Sequence, residues 1–226
     1  MINFIYNQKN TFLAISAMVI GVIFIDIHGL IVKYLGGEYS TIQLALFRNT
    51  FAIIPLILLL IYNKESSDLF KNLNKKFILF CFIRGSCFLA INILYYIAIN
   101  NMEFATASTL TFSSTFFIVI LSIFFLGDRV GIYRWSAVII GFVGVVMIMK
   151  PNSSIFSYYS ILPILVAFLW AVQVIVLKFI PDNFSTGKIQ FYSLFSSFLG
   201  SLIFIFFTTG HTYIESNTDF LILSLI

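Results

Sequence analysis

The chain has 226 residues, 60% of them hydrophobic and only 10% charged, with a net charge of +4 and a mean hydropathy of +1.03. That balance excludes a soluble globular domain, whose core needs polar residues to cover it. Nucleic acid is excluded as a partner too, because the Lys and Arg residues are scattered through short loops instead of forming a patch.

About 20 apolar residues in a helix cross the ~30 Å hydrocarbon core of a bilayer. Seven apolar runs meet that need, at 11–35, 41–62, 76–99, 104–126, 132–149, 156–180 and 186–208, and Phe220 to Ile226 open an eighth. The first run is longer than the roughly 7–15 residues of a signal-peptide core. It also carries Asp26 and His28, so it reads as a retained helix. Gly36-Gly37 closes it, and Pro55 predicts a kink in the second. The segment from Gly127 to Gly131 makes a tight turn, and Pro151 and Pro181 stop the fifth and sixth runs. Barrel strands of about 10 residues with alternating polarity do not fit runs that are apolar on every face. The expected fold is all-α, a polytopic membrane helix bundle.

Orientation follows from the basic residues. With the N-terminus inside, the inner segments hold Lys9, Lys64, Lys71, Lys75, Lys76, Arg129, Arg134, Lys178 and Lys188. The outer segments hold only Lys33 and Lys150. Nine against two predicts a cytoplasmic N-terminus in the cell (inner) membrane. Lys33, Ser40 and Thr41 recur as Lys178, Ser185 and Thr186, all at an offset of 145 residues. Five helices separate the two copies, so they run in opposite directions, the pattern of inverted-topology repeats with a substrate site between the halves.

The segment from Tyr95 to Pro151 carries a set of motifs: Tyr95-Tyr96-Ile97-Ala98, Ala105-Thr106-Ala107-Ser108-Thr109, Ser122 to Arg129, Arg134-Trp135 and Gly141 to Pro151. As an ensemble it resembles the EamA family of the drug/metabolite transporter superfamily, with weaker similarity over the whole first half, Arg48 included. Asp128 stands where Glu is common in that family. The resemblance implies a permease of ten helices in two inverted five-helix repeats, moving metabolites, amino acids or drugs by alternating access. The expected domains are a cytoplasmic N-terminus at 1–10, a first repeat at 11–151 and a partial second repeat at 156–226. A second repeat of five would need three helices beyond the seventh, so the chain reads as truncated. The alternative function is therefore a non-transporting fragment or half-permease subunit that needs a partner chain. The expected partners are the lipid bilayer, a small-molecule substrate, and a second copy or partner chain.

Polar residues at membrane depth are the candidate substrate contacts, because each ionisable one costs at least about 2.5–3.5 kcal/mol to insert. Asp26 and Arg48 lie about 13 and 11 Å deep from the same side at 1.5 Å per residue, which allows a pair. Arg84 lies about 12 Å from the other side. With Phe88 and Asn92, its i+4 and i+8 neighbours, it predicts an inward polar stripe. The fourth run is rich in hydroxyls, from Thr106 to Thr115. Most are expected to serve close helix packing and some to bond the preceding turn, with Ser113 kept as a pathway candidate. Gln173 occupies the repeat position of His28. Asp26 and His28 are about 200° apart around a helix, so they do not share a face, and proton coupling is only weakly indicated. Ala137, Gly141 and Gly144 predict a tight packing face. Cys81 and Cys87 point about 120° apart, so no disulfide, metal or cofactor is expected. A membrane-embedded enzyme is the weaker reading, because no HExxH, CxxC or GxGD pattern and no Ser/His pair occurs.

Overall fold

A computed structural model describes residues 2–71, 73–127, 131–149, 158–181 and 183–208. Their regular structure is helical: α1 (Ile2–Leu35), α2 (Thr41–Tyr62), α3 (Lys75–Asn101), α4 (Phe104–Thr111), α5 (Ser114–Leu126), α6 (Ile132–Met149), α7 (Ile161–Lys178) and α8 (Thr186–Thr208). Single 3₁₀ turns stand at Ser66–Asp68 and Tyr158–Ser160. Six spans among the described residues are long and apolar enough to cross a membrane, and Trp135–Met147 of α6 is a shorter apolar helix. Large apolar side chains stand exposed along α1, α6 and α8, among them Met18, Phe24, Ile140 and Phe206. Water does not tolerate so continuous an apolar surface, whereas hydrocarbon solvates it.

The expected bounds of α2, α6 and α8 are those observed, while α1 starts before its apolar run, at Ile2. The predicted 156–180 helix is shorter as α7, and its first two residues lie outside the described ones. So do Asp128 to Val130, Pro151 and the eighth run. Gly127 ends α5 in the left-handed region at φ 68°, with its N–H on the Ser122 carbonyl.

The predicted 104–126 helix breaks. At Phe112 and Ser113 the backbone takes i→i+3 bonds, Phe112 N–H to the Thr109 carbonyl and Ser113 N–H to the Leu110 carbonyl. The hydroxyls explain it. Thr109 donates to the Ala105 carbonyl at 2.7 Å, Thr111 to Ser108 at 2.6 Å and Ser113 to Leu110 at 2.7 Å. Such back-bonding competes with the helix ladder and bends it. Three of the seven hydroxyls thus bond the preceding turn, while Thr106 donates to the Glu103 carboxylate and Ser108 pairs with the Tyr95 hydroxyl.

Helix α3 is the spine, packed by α1, α2, α4, α7 and α8. One apolar cluster grips its C-terminal end: Val32 and Leu35 of α1, Leu44 and Ala45 of α2, and Tyr96 and Ile99 of α3. A second grips its N-terminal end, Phe77 and Cys81 with Ile180 and Ile189. The turns flanking the two clusters are built alike. Ser40 caps α2 by accepting from the Gln43 N–H at 3.3 Å, and Ser185 caps α8 by accepting from the Lys188 N–H at 3.2 Å. An N-cap serine satisfies a backbone donor that the helix leaves free.

At the second cluster Lys188 is only 6% exposed. Its Nζ donates to the carbonyls of Asp68, at 2.9 Å, and Lys71, at 2.5 Å. It also lies 5.3 Å from the Phe184 ring and 5.8 Å from Phe77. Ser185 donates to Glu65 at 2.7 Å, and Tyr192 to the Leu69 carbonyl at 3.2 Å. The α2–α3 connection is thereby fastened to the start of α8.

Candidate functional site

Between its two apolar ends the middle of α3 is polar. Arg84, Phe88 and Asn92 fall at i, i+4 and i+8, on one face. Gly85 lets α8 approach: a Cβ there would strike the Ser193 carbonyl and the Ser196 side chain. Against this face a cavity of about 230 Å³ is lined by Arg84 and Phe88, by Trp170 and Gln173 of α7, and by Gln190 and Ser193 of α8. Gln173 donates to the Arg84 carbonyl at 3.3 Å, tying α7 to α3.

Arg48 reaches in from α2, its guanidinium carbon 4.4 Å from the Phe88 ring centroid, a cation–π contact. Its neighbour Asn49 is fully buried and donates to the Ser197 hydroxyl of α8 at 3.0 Å. Four buried polar atoms of this region have no hydrogen-bond partner among the described residues: Arg48 Nη1, Asn49 Oδ1, Arg84 Nε and Asn92 Nδ2. Buried polar atoms are almost always paired, and leaving one unpaired costs about 1–3 kcal/mol. Among the described residues no carboxylate lies within 4.0 Å of either guanidinium; the salt bridge formed there is the exposed Lys71–Asp68, at 3.0 Å.

The structure brings together four of the six residues singled out from the sequence: Arg48, Arg84 and Asn92 around Phe88, with Gln173 on the cavity wall. The Asp26–Arg48 pair does not form. Equal depth left the angle around each helix open; Asp26 stands on an exposed face of α1, while Arg48 turns to Phe88. His28 faces inward to the Tyr96 hydroxyl, 3.2 Å away. Ser113 is apart as well. Its hydroxyl is spent on Leu110, and it borders a larger cavity of about 500 Å³ walled by apolar residues of α5, α6 and α7 such as Phe116, Phe142 and Ile164. Among the described residues its walls are otherwise apolar and offer little to orient a polar solute. Gly141 of the small-residue face packs under the Phe116 ring, whereas Gly144 faces open space.

Asn49, Trp170, Gln190, Ser193 and Ser197 were not singled out from the sequence. A signal for the serines was present: Ser193, Ser197 and Ser201 recur every four residues, and all three are buried, marking the inner face of α8.

The sequence profile of the EamA-like transporter family matches residues 12–150. A riboflavin transporter of Rhizobium johnstonii is 40% identical over 63 residues, 28% of this chain and 21% of that protein. Riboflavin transporters of Vibrio cholerae and Brucella anthropi are each 33% identical, over 78 and 79 residues, 34% and 35% of this chain and 26% and 28% of theirs. The matched stretch thus spans under a third of each relative's length.

Proposed function

Because the chain belongs to the EamA-like transporter family, we propose that it moves a small metabolite across the bilayer, binding it in the cavity at the middle of α3. The observation that carries this reading is the set of unpaired buried polar atoms around Phe88, at a depth where an idle polar group is costly. Arg48, Arg84, Asn92 and Gln173 are the proposed substrate contacts. Riboflavin, named for the three relatives, is the first solute to try, and the aromatic walls Phe88 and Trp170 suit a planar ring. The cytoplasmic N-terminus rests on the lysine-rich α2–α3 connection, and the inverted repeats are supported by the matched caps of α2 and α8. No catalytic role is proposed for any residue.

Reconstitution of the purified chain in liposomes tests the reading. Saturable riboflavin uptake, reduced in Arg84→Gln, is the expected result. Flux that appears only after a second polypeptide is added would favour the subunit alternative, and no saturable flux of any metabolite would end the proposal.

A further inference from the structure

The unpaired atoms around Phe88 are chemically lopsided. Arg48 Nη1, Arg84 Nε and Asn92 Nδ2 are donors, and Asn49 Oδ1 alone is an acceptor. Arg48 and Arg84 each bring a guanidinium, a cation with donors and no acceptor of its own. Within the described residues neither has a carboxylate in ion-pair reach. One cation leans on the ring of Phe88, 4.4 Å away; the other lines the cavity beside it, together with Trp170 and Gln173 of α7. The cavity therefore has one cation, Arg84, and two aromatic rings in its wall, with Arg48 on the Phe88 ring and the unpaired donor of Asn92 one turn further along α3, at a depth where uncompensated charge is costly.

Resting on the transporter reading, we propose that this site selects planar aromatic solutes that carry an oxyanion, a carboxylate or a phosphate. The carbonyls of a neutral solute would occupy donors but leave the charge standing. An oxyanion does both, accepting the guanidinium and amide hydrogens in the short, charge-assisted bonds such groups form. Its ring then lies along Phe88 and Trp170. The acceptor of Asn49 remains for a ring N–H or a hydroxyl.

Calorimetry on the full chain in phosphatidylcholine nanodiscs tests it with two matched pairs: indole-3-acetamide against indole-3-acetate, and riboflavin against riboflavin 5′-phosphate. The anion is expected to bind at least about tenfold tighter than its neutral twin, the worth of one charged hydrogen bond. In Arg84→Gln the ratio is expected to fall below about threefold, and in Arg84→Lys, which keeps the charge, to fall less. The same comparison in Arg48→Gln is a second handle if that protein folds. A preference confined to the indole pair assigns the carboxylate, and one confined to the flavin pair the phosphate; either sustains the proposal. Neutral probes that bind as well as the anions, a preference untouched by Arg84→Gln, or no binding of any probe would overturn it. Anion binding without flux in liposomes would defeat the transporter reading and leave this one standing, whereas flux of neutral riboflavin with no anion preference would do the reverse.

Discussion

Lys188 at the start of α8 and Arg84 in the middle of α3 are both cations drawn into the protein, and their surroundings differ in kind. The ammonium of Lys188 has two carbonyls within 2.9 Å and two aromatic rings within 5.8 Å. The guanidinium of Arg84 borders a cavity, and its Nε has no partner. One site is complete as it stands and belongs to the architecture. The other holds donors in reserve, and stability alone gives no reason to keep them. Arg48 shares that incompleteness, since its ring contact leaves Nη1 unpaired.

The largest effect expected of this contrast is on folding. Lys188→Met leaves the Asp68 and Lys71 carbonyls unpaired and removes a charge from two rings, and is expected to cost about 3 kcal/mol in detergent unfolding. Arg84→Met is expected to shift stability by less than about 1 kcal/mol, or to raise it, since it removes a half-buried charge with no counter-ion among the described residues. Its uptake should nonetheless fall about tenfold or more. If both variants lost equal stability, the distinction between the two cations would collapse. Ser185→Ala removes both a cap and a bond to Glu65, at an expected cost of about 1 kcal/mol; Ser40→Ala, its counterpart on α2, removes the cap on the Gln43 N–H and is expected to cost less. Smallest of all, Asp26→Asn on the exposed face of α1 should leave uptake unaltered and move stability by no more than about 0.5 kcal/mol.

What could be read from the sequence was whatever depends on neighbours along the chain. The bounds of α2 and α8 follow from a Ser-Thr start and an apolar run long enough to span lipid, both local signals. The Arg84–Phe88–Asn92 stripe was legible because helical spacing alone puts those residues on one face. Pairing between helices was not. Asp26 and Arg48 matched in depth, but the direction each side chain faces depends on how α1 and α2 are rotated against α3. The split of the fourth span hinged on which carbonyl each hydroxyl chose. Asn49 was not legible because an amide carries no charge to mark its insertion cost, and beside Arg48 it looks like any other polar residue in a string of letters. Trp170 was one aromatic among many and acquired meaning only when Arg84 appeared opposite.

Gly85 has a consequence for how this chain can drift. Alanine is the smallest change available there, and its methyl group would already collide with a main-chain oxygen of α8, which cannot swing aside as a flexible side chain does. Accepting it means moving a whole helix and, with it, the wall opposite the adjacent arginine. Among the described glycines Gly85 is the one whose added carbon would meet main chain instead of a side chain, so variety on the outer faces of the bundle has no counterpart here.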